Sequence, residues 1–508
     1  MMIFKNTYSK FLIVLFTLVA PASLMAQSPV PATNPKLRLI TTIMQRRLDA
    51  ARAQGQFPGA EVAFVYVDGE MPDGKPRFVI GSVASGVGDL NTNVPLKTSD
   101  RFLAGSIGKT FVAALTMMLV QDGKLKLDDK IGKWLGNESW FSKLPNASDI
   151  TPRMLLNHSS GIPNHADNDS FQKQLLKSGS RNINYEDLLA YVLSKKPLFA
   201  AGTGYNYADT NYILIGMIIE KATGQSLYDQ VSDRILKPLK LDRTIPSNAV
   251  TLPEVVNGYL EGKPVIVNHK FTINPQWEWA GGGFASNAED LARWAAVLYG
   301  GDVLTDKSLE EMFSSTAGED GSAYGLGTMV TRSKLGRSYG HDGEFPGYLA
   351  DMRYYPKYKI AIAVMVNSDE TFGVDRFLSS ATEDFANVIV NATGTNLSDS
   401  DQIKFRALAE NWLALLGDQK FEESYDMLAA RLHARFTKEV WANTIKAFVD
   451  RAGKVKSRKV RLMSFTSAAS NAVVIEFESS YSKMPNASES LTFVQENGVW
   501  KLSAYSLR

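Results

Sequence analysis

The sequence predicts an α+β protein in two parts. The first is an antiparallel sheet flanked by terminal helices, with an all-helical lobe; the second is a small, separate α+β domain. Three observations predict this. Strand-like runs stand at both ends of residues 35–392, with helical periodicity between and outside them. A polar stretch, Asn391–Ser400, interrupts the apolar pattern. Beyond it, two amphipathic helical patterns precede three strand-like runs. At 508 residues the chain is also too long for one ordinary domain.

The elements follow in order. Residues 1–26 read as an export signal: Lys5 and Lys10 precede an apolar core, Phe11–Ala20, which is too short to span a bilayer. Cleavage is expected near Ala26, giving a periplasmic or secreted bacterial protein with no stable membrane span. After Pro35, Leu37, Ile40, Met44, Leu48 and Ala51 recur at helical spacing up to Gly55. Strands are expected over 60–67 and 78–83, with turns at Asp68-Gly69 and Asp73-Gly74. The apolar run Thr110–Val120 reads as a buried helix ended by Asp122-Gly123. Residues 125–270 are helix-rich. A hairpin over 349–355 and 360–367 turns at Pro356-Lys357, and 374–390 is a closing helix. The first domain thus spans 35–392, a linker 393–401, and the second domain 402–508. In the latter, Leu408, Trp412 and Leu415 make one helical face and Trp441, Ile445 and Phe448 another. Strands are expected over 473–477, 491–495 and 499–505, the last two joined by Asn497-Gly498.

Composition excludes several functions. A net charge of +2 gives no basis for binding nucleic acid. With no cysteine, disulfides, thiol catalysis and thiolate metal sites are impossible. The five histidines show no metal-ligand spacing, so neither metal nor cofactor is expected.

The chemistry centres on Ser106-Ile107-Gly108-Lys109. Residues i and i+3 share a helix face, so the amine can reach the hydroxyl and activate it without a histidine. Two other Ser-x-x-Lys tetrads, at Ser170 and Ser480, lack an apolar helix after them and read as accidents. Burial and the helix N-terminus favour a neutral Lys109. Taken alone, Tyr207 reads as a core tyrosine, His341 as the cap of a strand end and His158 as a scaffold histidine. Position 104 is alanine, so the Gly-x-Ser-x-Gly elbow of α/β-hydrolases is absent.

Other segments complete a pattern: Tyr207-Ala208-Asp209, His341-Asp342-Gly343, Leu155-Leu156-Asn157-His158-Ser159-Ser160-Gly161, and Ala280-Gly281-Gly282-Gly283 before Asp290-Leu291-Ala292-Arg293-Trp294. In this order they resemble the serine β-lactamase-like superfamily, which includes class C β-lactamases, D,D-peptidases, D-aminopeptidases and family VIII esterases. The resemblance covers about residues 35–392 and implies a β-lactamase/transpeptidase-like fold. It makes Ser106 the acylated nucleophile, with Lys109 and Tyr207 sharing acid–base work as a coupled unit. It places the oxyanion hole at the backbone N–H groups of Ser106 and Glu344, and substrate contacts at Asp209, His341, Asp342 and Gly343. It further implies that a cationic neighbour lowers the tyrosine pKa.

Two departures bear on substrate. The family's Tyr-x-Asn reads Tyr207-Ala208-Asp209, and ionised Asp can only accept hydrogen bonds. Asp209 could also pair with Lys109 and keep it charged. The Lys-Thr-Gly of class C β-lactamases reads His341-Asp342-Gly343, which trades a fixed cation for a mostly neutral imidazole. Both disfavour efficient β-lactam hydrolysis. The expected function is an exported serine hydrolase acting on amide or ester bonds of a small-molecule or peptide substrate. The alternatives are weak β-lactam turnover and a non-catalytic, penicillin-binding-like sensor of cell-wall fragments. The last hundred residues resemble an uncharacterised bacterial family of nuclear transport factor 2-like cone shape. Oligomeric state is left open.

Overall fold

The computed structural model describes residues 34–71, 76–177, 183–314, 316–317, 323–369, 372–393, 399–465 and 472–507. The export signal, the Asp73-Gly74 turn and linker residues 394–398 lie outside them.

Helix α1 (Pro35–Gly55) starts where the Asn34 side chain accepts from the Lys36 and Leu37 amides, with Pro35 in the first turn. Strands β1 (Gly59–Glu70) and β2 (Pro76–Asp89) pair antiparallel. Asp68-Gly69 is not the predicted turn: strand β1 runs through it, with an irregular register between Val67 and Glu70. The helical lobe includes α2 (Gly108–Gln121) and α3 (Asp209–Thr223). Helix α4 (Ala288–Gly300) returns the chain to the sheet, followed by β3 (Met329–Ser333), β4 (Gly336–Phe345), β5 (Tyr348–Tyr355) and β6 (Ile360–Val366). Helix α5 (Phe372–Thr393) closes the first domain.

The principal sheet has nine strands, all neighbours antiparallel, among the described residues. Its register sets β1 against β6, with Val62 opposite Val364 and Phe64 opposite Ile362, so the two ends of the domain meet inside the sheet. Strand alternation then divides the core. Ala60, Val62 and Phe64 pack under α1 and α5, while Ala63 and Val65 face α4 and the helical lobe. Both faces are covered, which explains the nearly continuous apolar run of β6.

The second domain packs α6 (Asp399–Gly417) and α7 (Lys438–Ala452) on a four-stranded meander. Its strands are β7 (Val455–Phe465), β8 (Ala472–Tyr481), β9 (Ala487–Glu496) and β10 (Val499–Leu507). Its core holds the predicted Trp412, Trp441 and Ile445 together with Leu413 and Leu416; only the last residue of each predicted face differs, Leu415 being partly buried and Phe448 exposed. The domain docks on the outer helical layer through Leu462, with Arg47–Glu476 and Arg46–Glu478 ion pairs at 2.9 and 2.6 Å. The principal sheet therefore stands between it and Ser106.

Candidate active site

Ser106 lies in a 3-10 turn, Gly105–Ile107, that runs directly into α2. Pairing of β3 with β4 ends at Gly340, so the edge of residues 341–345 is left to border this turn. The approach is close because both sides are glycine. A Cβ on Gly105 (φ +53°) would sit 2.5 Å from the Glu344 nitrogen, and one on Gly343 would sit 2.0 Å from the Ala104 oxygen. The backbones of Ser106 and Glu344 are thereby neighbours.

Lys109 is wholly buried one turn later. Its ammonium donates to Ser106 Oγ at 2.9 Å, to Asp209 Oδ1 at 2.6 Å and to the Gly281 carbonyl. Three acceptors match the three donors of an ammonium, and one is a carboxylate. In place of the free amine expected, Lys109 stands in an ion pair with Asp209, which the first turn of α3 brings in.

Tyr207 precedes α3, its ring centroid 4.9 Å from Lys109 Nζ. Its hydroxyl is buried without a hydrogen bond of good geometry. Burial, and then the Asp209 carboxylate, push its pKa well above the ordinary tyrosine range, while nearby Ser106 opposes them. The lowered pKa implied by the resemblance is therefore not found; the resting site holds a neutral phenol. The segment is held by His158, whose Nδ1 accepts from the Ala208 amide at 3.1 Å and whose ring lies tilted against that of Tyr207, with centroids 4.3 Å apart.

His341 is fully buried. Its Nε2 accepts from the Tyr324 hydroxyl at 2.8 Å and its Nδ1 donates to the Asp342 carbonyl at 2.5 Å. Burial pushes its pKa down to about 4, so it is neutral near pH 7. Both of its nitrogens are engaged within the protein. Asp342 and Glu344, by contrast, are exposed. Gly343 contributes close backbone approach.

Sequence reasoning missed three groups here. The Gly281 carbonyl belongs to a glycine turn flagged by its motif but given no role. Tyr324 lay in an unassigned stretch. Glu278, just before that turn, is 5% exposed, and its Oε2 has no hydrogen-bond partner. Burial pushes its pKa from 4.5 up to about 8, with Lys109 opposing and Asp209 and Glu344 adding. An acid whose folded pKa is raised binds its proton more tightly when folded. Its contribution is present below the unfolded value and is lost as pH climbs toward about 8. Glu278→Gln is therefore expected to gain stability over the wild type as pH rises from 5 to 8, measured as the difference in Tm. Parallel pH–stability curves would contradict this.

The family model described as "Beta-lactamase" matches residues 44–384, and one described as "Protein of unknown function (DUF4019)" matches 408–505. The chain is 28% identical over 348 residues to penicillin-binding protein 4 of Amycolatopsis lactamdurans, covering 64% of this chain and 84% of that one. Among solved structures it resembles the D-stereospecific amidohydrolase from Streptomyces sp., with 29% identity and a TM-score of 0.56 over 67% of this chain and 98% of that chain. It also resembles the D-amino acid amidase from Ochrobactrum anthropi SV3 complexed with L-phenylalanine, with 25% identity and a TM-score of 0.57 over 70% and 98%.

Proposed function

The chain belongs to the β-lactamase family, and from that premise we propose an exported enzyme that cleaves amide or ester bonds through an acyl-enzyme on Ser106. It is a serine hydrolase related to penicillin-binding proteins and D-amino acid amidases. The observation that carries the proposal is the 2.9 Å contact of Lys109 Nζ with Ser106 Oγ, at a turn pressed against the Glu344 backbone. Export rests on the pattern of residues 1–26.

Because Lys109 and Tyr207 both hold protons at rest, the Lys109–Asp209 pair supplies the base. As substrate displaces water, Asp209 takes a proton from Lys109, and the freed amine takes the proton of Ser106. Ser106 Oγ adds to the carbonyl carbon, and the resulting oxyanion accepts from the Ser106 and Glu344 N–H groups. Tyr207 then gives its proton to the leaving nitrogen or oxygen as the scissile bond breaks, and regains one from Lys109. Water releases the acyl group by the reverse transfers. The amidase and amidohydrolase relatives support an amide bond, and the loss of a fixed cation at His341 supports a substrate other than a β-lactam.

A fluorophosphonate probe is expected to label Ser106, with the site identified by peptide mass spectrometry. Ser106→Ala should abolish the label and lower turnover by on the order of 10³-fold or more. A label that persists in Ser106→Ala sinks the proposal.

A further inference from the structure

We infer that the second domain carries a binding site for a small amphipathic carboxylate, in a groove between α6 and β7. The groove has a volume of about 310 Å³, which suits a small ligand. Arg406, Glu410, Leu413 and Ala414 reach it from α6 at helical spacing, so they share one face. Arg458, Lys459 and Val460 reach it from β7, the edge strand of the meander, and Phe477 reaches it from β8.

Arg458 is the prepared donor. Its partner Glu489, on β9, is wholly buried. Arg458 Nε donates to Glu489 Oε2 at 2.8 Å, and Nη2 donates to Oε1 at 3.3 Å and to the Tyr481 hydroxyl at 2.9 Å. The hydroxyls of Ser479, Tyr481 and Tyr505 donate to the same carboxylate at 2.7, 2.5 and 2.8 Å. This network fixes one edge of the guanidinium. Among the described residues nothing bonds Nη1, so that nitrogen is left for a ligand in the groove that Arg458 lines. A buried ion pair brings little net stability over apolar packing. A side chain locked by a buried shell of hydrogen bonds is, in contrast, what precise recognition requires.

The charge around the groove sets the sign of the ligand. Arg406 meets Glu410 only at 3.9 Å, with both side chains more than half exposed, and Lys459 is exposed. Against the cations of Arg406, Arg458 and Lys459 stand the carboxylates of Glu410 and Glu489, which leaves one positive charge. One negative charge answers it, and a guanidinium bonds a carboxylate with charge-assisted hydrogen bonds. Leu413, Val460 and Phe477 give the groove an apolar wall, which rewards a ligand with a hydrocarbon body and is wasted on an inorganic anion. The chemical class is a carboxylate carried on an apolar chain or ring.

Octanoate is the probe, titrated by calorimetry into the full chain carrying Ser106→Ala. It should bind with a Kd of about 1 mM or tighter. Octanamide and octylamine share its chain and lack the negative charge; inorganic phosphate lacks the chain. Each should bind at least about tenfold more weakly than octanoate. Added salt should weaken octanoate binding. Ala414→Trp fills the groove from an exposed helix position and should abolish binding, and Arg406→Ala should weaken it. Far-UV circular dichroism and Tm report whether each variant is folded; should Ala414→Trp unfold, Arg406→Ala decides alone. Failure to bind octanoate overturns the inference, as do equal affinities for octanoate, octanamide and octylamine. Octanoate binding that is unchanged in the folded variants lies elsewhere and overturns it too. Phosphate bound as tightly as octanoate would mean an inorganic-anion site and sink the amphipathic ligand.

Discussion

Lys109→Ala is expected to lower kcat/KM by on the order of 10³-fold or more, with Ser106 labelling slowed in parallel. The ammonium is fully buried and ties together Ser106, Asp209 and the Gly281 carbonyl. Its removal takes away the proton acceptor for Ser106 and leaves Asp209 facing Glu278 without a counter-charge. Breaking a buried pair from one side costs about 3–5 kcal/mol, so a fall in Tm should accompany the loss of activity. Adding Asp209→Asn to Lys109→Ala separates the two effects. The double variant should recover Tm and stay inactive, because it removes the stranded charge and not the missing base. If the double variant is as unstable as the single, the ion pair is not what links stability to this site.

Gly343→Ala is expected to impair catalysis by on the order of a hundredfold while the second domain stays folded. The added carbon would sit 2.0 Å from the Ala104 oxygen, and neither backbone can yield without moving the other. Strand β4 would have to draw away from the Ser106 turn, taking the Glu344 nitrogen with it. An oxyanion donor displaced by an ångström no longer meets the developing charge. Gly417→Ala is the matched control, since nothing lies within 4 Å of its added carbon. Steady-state kinetics of both variants decide the matter, and an unimpaired Gly343→Ala would show that the close approach is dispensable.

Elements with a strong local period were legible in the sequence. Helix α1 ends at Gly55 as its spacing predicts, and the β5–β6 hairpin turns where Pro356-Lys357 interrupts two apolar runs. Strand β7 was missed because its first half, Val455–Lys459, is largely exposed and rich in basic residues, with no apolar alternation to betray it. Its assignment comes from pairing with β8. The same limit explains why the last residue of each predicted face of α6 and α7, Leu415 and Phe448, falls outside the core. With helical spacing alone, Leu415 and Leu416 are equivalent until the sheet beneath them is in place.

For the catalytic centre, the sequence by itself determined the identity of the reacting groups and their local reach. Three residues of helical spacing bring Lys109 to Ser106, and no tertiary contact is needed for that. The order of the glycine and tyrosine motifs was likewise enough to point to the family. Only the tertiary structure decided the charge state of the site. Asp209 and Gly281 meet Lys109 from 100 and 172 residues away, and Asp209 sets in an ion pair a lysine expected as a free amine. Burial and the same carboxylate hold Tyr207 as a phenol, and Glu278 becomes a titrating group only because the fold removes it from water. Protonation depends on the summed field and desolvation at one point in space, and no local pattern in the chain encodes that sum.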